Sequence, residues 1–269
     1  MAKLAGLPRA SVGSQRPRRA AWGRLKALTG VTVVAVAATG AAAVPSANAG
    51  KPGVVRPTQE LAMLFTSHKV VSLKSHNVVS GFRARTARES RVQAWRPITG
   101  QRTVLPVIGR ATTADGVRWL RVRLPGRPNG RKGWIVRRGT VLMRTSWHVV
   151  VRTSSRRVLV YRRGRLVRSF AAIVGKPSTP TPHGRFFVEE SIRMLPGNAG
   201  VPFALALSAR SNVLQEFAGG PGQVALHGVG NIGGTLGTAV SHGCVRLSSL
   251  SISWMAARIG PGVPIRIAR

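Results

Sequence analysis

The sequence predicts a mainly β chain with only a few short helices, and three observations carry that reading. Arg118-Trp119-Leu120-Arg121-Val122-Arg123-Leu124 alternates strictly, placing Leu120, Val122 and Leu124 on one face and arginines on the other. The run Pro125-Gly126-Arg127-Pro128-Asn129-Gly130 behind it is a dense turn signal. Past Trp147, short apolar runs recur between turns such as Arg163-Gly164, with one stretch of helical spacing among them.

In chain order, residues 1–49 read as an export segment. Arg9, Arg16, Arg18, Arg19, Arg24 and Lys26 make a basic start, Ala27 to Val44 is small and apolar, and Ala47-Asn48-Ala49 offers a cleavage site before Gly50. An uncleaved N-terminal anchor is the alternative, since the apolar run approaches spanning length. Either way the remainder is expected outside the cytoplasm, in a cell wall or periplasm-like space. Residues 50–92 are read as linker or partial β module, with Val70-Val71-Ser72-Leu73 and Val78-Val79 as short strand candidates.

Residues 93–145 sharpen into a small β module in which Gly133-Trp134-Ile135-Val136 supplies a further strand. The stretch GVRWLRVRLPGRPNGRKGWI resembles the bacterial SH3-like modules that precede some cell-wall enzymes. The resemblance implies wall binding or, equally, a spacer that shapes a neighbouring cleft. Residues 146–269 form a second β-rich domain. Its expected strands are Trp147 to Arg152, Arg157 to Tyr161, Leu166 to Val174, Gly184 to Glu189, Val224 to Leu226 and Val263 to Ile267. Ser248 to Ile259 reads as a helix, capped by Ser248, ended by Gly260-Pro261, with Leu250, Trp254 and Ala257 on one face.

Charge narrows the class of partner. Lys and Arg number 42 against 6 Asp and Glu, a formal net charge of +36. Such a field draws any polyanion, whether nucleic acid, anionic lipid or an acidic wall polymer. The arginines are spread along the whole chain rather than gathered in one groove, and an exported protein does not meet nucleic acid. Charge alone does not choose between anionic lipid and anionic cell-wall polymers; the latter are the expected partners if the chain is a cell-wall enzyme.

Cys244 is the single cysteine, so no internal disulfide is available and a reactive thiol becomes the leading alternative to a buried inert one. It stands in Ser241-His242-Gly243-Cys244-Val245-Arg246-Leu247, with a second histidine upstream in Leu226-His227-Gly228. A thiol becomes a nucleophile only as a thiolate, which needs a neighbouring base or positive charge. His242 is two residues away, but Gly243 implies a turn between them. His227, across the Gly233-Gly234-Thr235 loop, has no such constraint and is the favoured base. With Asp115 the only aspartate in the chain, the acceptor that orients the imidazole is expected to be a backbone carbonyl, Gly228 being nearest. Two histidines and a cysteine could instead be zinc ligands, but no carboxylate stands near them in sequence to serve as the base such a site uses. No metal and no cofactor is therefore expected.

These residues resemble a known family. An HG pair, a glycine-rich loop and SHGCVRL look like the signature of the L,D-transpeptidases, the YkuD-like cell-wall enzymes, and VGKPSTPTPHGRFFV from Val174 to Val188 resembles the family's upstream segment. The resemblance covers about residues 146–268. It implies a β-sandwich-like catalytic domain, Cys244 as nucleophile and His227 as the base that takes and returns its proton. It further implies that His242, Gly243 and Cys244 present oxyanion-stabilising backbone N–H groups, with Ser241 and Gly228 as supports. Arg246 stands where many members have asparagine, and its implied task is to bind a carboxylate or to hold the loop by a bidentate contact. Two departures are visible: the His227–Ser241 interval is slightly short, and the aromatic hydroxyl that assists some members has no counterpart, Tyr161 being the only tyrosine and far upstream.

The implied reaction is acyl transfer on peptidoglycan stem peptides through a thioester, giving 3→3 cross-links in cell-wall biogenesis, with carbapenem-type inhibitors expected to acylate the same thiol. An L,D-carboxypeptidase differs only in taking water as acceptor. A non-catalytic basic wall-binding protein is the alternative from another class, and it leaves the Cys–His pair without purpose. A nucleic-acid binder would require the export segment to be misread, and would bind independently of Cys244 with a steep salt dependence.

Overall fold

The computed structural model describes residues 57–75, 82–85, 90–216 and 220–269. The residues read as an export segment and the Val78-Val79 strand candidate lie outside them. Gly50–Arg269 form one compact unit. Among the described residues no helix is long and apolar enough to cross a membrane.

The first half of this unit is built from strands β1 (Gln59–Leu64), β2 (His68–Lys69), β3 (Ser72–Ser75), β4 (Phe82–Arg85), β5 (Arg91–Val92), β6 (Val104–Thr112), β7 (Arg118–Arg123), β8 (Lys132–Val136) and β9 (Thr140–Thr145). Five of them form an antiparallel sheet in the order β8-β7-β6-β1-β9. Alternation in β7 buries Leu120 and Val122 and leaves Arg118 and Arg121 exposed. The loop after it carries Gly126 and Gly130 at positive φ and turns the chain into β8. Gln59–Leu64 enters between β6 and β9, so residues read as linker or partial module supply an inner strand and bury Leu61, Ala62 and Leu64.

The second half comprises β10 (Trp147–Arg152), β11 (Arg157–Arg162), β12 (Arg165–Ala171), β13 (Val174–Gly175), β14 (Gly184–Arg193), β15 (Phe203–Arg210), β16 (Gln223–Gly228), β17 (Ala239–Ser241), β18 (Val245–Leu247), the helix α1 (Ser249–Ala256) and β19 (Pro264–Ala268). Eight strands make one sheet in the order β12-β11-β10-β19-β14-β15-β16-β18. The β10–β19 and β16–β18 pairs are parallel and the rest antiparallel. Ser248 caps α1, its side chain accepting from Ser251 N, as its residue type dictates. The face that packs is not the expected one. Ile252 and Met255 are buried, whereas Leu250 is 86% exposed. Both stripes have helical spacing, and the contact with β15 and β16 selects the second.

Two hydrophobic cores meet at β14. Phe186 belongs to the core under the eight-stranded sheet, with Val149, Leu205, Leu226, Val245 and Ile265 around it. Phe187, the next residue and on the opposite face, belongs to the core of the first half with Leu64, Leu105 and Ile135. A register shift between Val188 and Glu190 then turns both glutamates toward the first half. Glu189 bridges Arg96 at 2.7 Å and Arg210 at 3.0 Å, and Glu190 accepts from the backbone N–H and the hydroxyl of Thr99.

Candidate active site

Strands β16 and β18 run parallel and in register, Leu226 beside Val245 and His227 beside Arg246. The pleat decides which side chains share a face. Val224, Leu226, Val245 and Leu247 are fully buried in the core, so Ala225, His227, Cys244 and Arg246 project from the other side. His227, Cys244 and Arg246 line one narrow cavity of ≈ 60 Å³ together with Ser211, Leu214 and Gln223. His242 also borders it but is exposed at the rim.

His227 is held by its neighbours on both sides. Its Nδ1 lies 2.8 Å from the Gly228 carbonyl. A carbonyl can only accept, so Nδ1 carries the proton and Nε2 keeps its lone pair. Gly200, at φ +92°, packs on the ring so closely that any side chain there would collide with Nδ1. This glycine belongs to the turn Pro196-Gly197-Asn198-Ala199-Gly200, and nothing in its sequence neighbourhood connects it to His227.

Burial sets the charge state of the pair. It lowers the pKa of His227, opposed by the Gly228 bond and assisted by the nearby Arg246 charge. It raises the pKa of Cys244, against the backbone bond to Ala225 and the Arg246 charge. The thiol donates to the Gln223 carbonyl at 4.0 Å, whereas the Ala225 backbone bond favours the thiolate, as an N–H donor to sulfur does. Near neutrality the resting pair is thus a thiol and a neutral imidazole rather than an ion pair.

Ser241 cross-braces the segment. Fully buried, its Oγ donates to the Cys244 carbonyl at 2.6 Å and accepts from Gly243 N at 3.2 Å. The Gly243 N–H is therefore engaged with Ser241, and Gly243 itself sits at φ +116°, where glycine meets no Cβ strain. The Ser241 carbonyl accepts from Lys176 N at 2.9 Å and from Thr179 Oγ1 at 3.2 Å, which ties in the 174–182 segment through the parallel β13–β17 pair. Arg246 reaches the Gly233 carbonyl only at 3.5 Å, and its Nε is buried without a partner. Tyr161 lies on β11, at the other end of the sheet. Among the described residues no three His, Cys, Asp or Glu side chains come close enough to share a metal ion.

One wall of the cavity is held from outside the second half. Arg127, in the turn after β7, donates to the carbonyls of Pro221 at 2.8 Å, Ser211 at 2.9 Å and Leu214 at 2.9 Å. Asn129 beside it accepts from Arg210 N and donates to Arg210 O at 2.8 and 2.7 Å. Sequence reasoning registers these residues only as a turn, because their partners lie more than 80 positions away.

Residues 146–267 match the family model described as YkuD, L,D-transpeptidase catalytic domain. The YkuD protein of Bacillus licheniformis is 29% identical over 121 residues, covering 45% of this chain and 65% of that protein. L,D-transpeptidase 1 of Mycobacterium tuberculosis is 30% identical over 130 residues, covering 44% and 49%. The matches thus span about half to two thirds of the length of these relatives. A solved structure of L,D-transpeptidase 3 from Mycobacterium tuberculosis with a faropenem-derived adduct is 16% identical, with a TM-score of 0.41, over 62% of this chain and 91% of that one. That superposition is too loose to bear on the site.

Proposed function

We propose that this chain, whose residues 146–267 match the L,D-transpeptidase catalytic-domain model, is an exported L,D-transpeptidase that acts on peptidoglycan stem peptides through Cys244. The observation that carries the reading is the placement of Cys244 and His227 on one face of two paired strands, around one cavity, with the imidazole oriented by Gly228.

The chemistry follows from the neutral resting pair. His227 Nε2 accepts the thiol proton as Sγ attacks the amide carbonyl that joins diaminopimelate to the terminal D-alanine. The carbonyl π-bond electrons move to oxygen, and the backbone N–H groups on either side of Gly243, whose own N–H is held by Ser241, stabilise the oxyanion. Collapse breaks the C–N bond, and the imidazolium returns its proton to the departing D-alanine amine. An acceptor amine, deprotonated by the same imidazole, attacks the thioester and releases the thiol, leaving a 3→3 cross-link. Water in that role makes the tripeptide instead. The unpartnered Nε of Arg246 suits it to a substrate carboxylate. The same thiol is the point at which a carbapenem would acylate the protein.

The test is incubation of the exported part, wild type and Cys244→Ala, with disaccharide-tetrapeptide, and mass spectrometry of the products. A dimer lighter by one alanine, in wild type alone, is the expected result. Tripeptide alone would make the protein a carboxypeptidase. Unchanged substrate in both samples would overturn the enzymatic reading in favour of a basic wall-binding protein.

A further inference from the structure

A second cavity, of ≈ 490 Å³, lies where the two halves meet and shares no residue with the cysteine cavity. Arg123 of β7, His148 of β10, Arg185 of β14 and Arg266 of β19 line it, so four separate strands each contribute a basic group. Arg185 and Arg266 are direct partners across the antiparallel β14–β19 ladder, the placement in which like charges repel most. Among the described residues no carboxylate lines the cavity. Glu60 is taken by Arg110, Glu189 by Arg96 and Arg210, and Glu190 by Thr99.

The arginine charges add to the effect of burial on the neighbouring basic groups. Burial, then the charges of Arg266 and Arg185, push His148 down to about 4. Burial, then Arg185, lowers Arg123 as well. Among the described residues no carboxylate offsets the positive charge that the fold gathers on this sheet face.

We propose that this cavity is a binding site for a phosphoryl oxyanion, a phosphate group either free or carried in the phosphodiester backbone of an anionic wall polymer. Guanidinium forks match phosphate oxygens in pairs, and a tetrahedral group with several acceptor oxygens can serve forks from different strands at once. A planar carboxylate, with two oxygens, satisfies fewer of them. The apolar part of the wall, with Trp147, Phe186 and Pro264, suits the uncharged linker of such a polymer. The site would fix the protein to its matrix by a face separate from the cysteine cavity.

The test uses the whole Gly50–Arg269 unit titrated with sodium phosphate, sn-glycerol 3-phosphate and a short poly(glycerol phosphate), against sodium chloride at matched ionic strength. The readouts are the NMR titration of the His148 ring and the thermal midpoint. Expected are saturable binding, a rise of the His148 midpoint from about 4 toward the ordinary imidazole range, and at least tenfold weaker binding in Arg266→Gln. Arg185→Gln, at an exposed position, repeats the comparison should the first variant fold poorly. Arg165→Gln, exposed on β12, and Cys244→Ala are expected to bind as wild type does. Tighter binding of the polymer identifies the matrix as the source, and equal binding per phosphate identifies the free anion. A response to phosphate no larger than to chloride, or an equal loss in Arg165→Gln, overturns the site. Because Cys244→Ala is expected to bind normally, failure here is separable from failure of the thiol chemistry.

Discussion

The Arg127 guanidinium donates to the Leu214 carbonyl at 2.9 Å, so a turn of the first half grips the wall of the cysteine cavity in the second. The same group binds the carbonyls of Ser211 and Pro221. Gly222 packs against Leu214 O and this guanidinium, which leaves no space for a side chain. Three charge-assisted bonds from one planar group fix the relative position of three carbonyls.

Arg127→Ala should therefore loosen the wall without emptying a core. The expected outcome is faster alkylation of Cys244 by iodoacetamide, about three- to tenfold, together with a fall in stem-peptide turnover of about tenfold or more, since small misplacements cost rate steeply. Opposite movement of the two rates is the signature to look for. A parallel fall in both would mean general unfolding instead.

The burial of Cys244 and His227 makes a pH prediction. The thiol, raised by burial, should alkylate with a midpoint above the ordinary cysteine range, and the imidazole, lowered by burial, should stay neutral and able to accept a proton below its ordinary range. Arg246 favours the thiolate and disfavours the imidazolium, so Arg246→Ala should move both midpoints upward. His227→Gln should cut turnover by about 10² to 10⁴ while leaving the alkylation midpoint of the thiol high. A wild-type alkylation midpoint well below the ordinary range would indicate a preformed ion pair and contradict the neutral one.

Gly200→Ala tests how the imidazole is held. A methyl group there meets Nδ1 and its ring, and the backbone is at φ +92°, strained for any side chain. Turnover should fall by about tenfold or more, with a loss of stability of about 1–3 kcal/mol. Chemical shifts of the His227 ring should report its displacement directly.

Glu189 neutralises two buried guanidiniums, of Arg96 and Arg210, at the seam between the halves. Glu189→Gln leaves both charges without their counter-ion, and Arg96 Nε and Nη2 already lack partners. The expected cost is about 3–5 kcal/mol, read as a lower thermal midpoint. Glu60→Gln, which removes an exposed pair with Arg110, should cost under about 1 kcal/mol.

Much of this arrangement is legible in the sequence wherever the determinants are local. β7 shows its alternation, α1 its Ser248 cap, and Ser241 to Leu247 carries a motif whose glycine and cysteine spacing has few other uses. Phe203–Arg210 carries no strand signal in the sequence because its residues are buried on both faces, which erases the alternation that reveals a half-covered strand. Gln59–Leu64 is short and mixed in character, and only its two partners, reached from residues 104–106 and 140–145, make it a strand. The helix shows two apolar stripes, and only packing chooses between them. Gly200 and Arg127 act on partners that chain folding brings together, so no window of sequence holds both halves of either contact.

The adjacent pair Phe186 and Phe187 has a further consequence. One peptide bond separates a ring in one core from a ring in the other, so the halves could not be parted at β14 without opening both cores. Over evolutionary time such a chain is expected to diverge as one block, its first half accumulating changes in step with the half that carries the thiol rather than being traded between lineages.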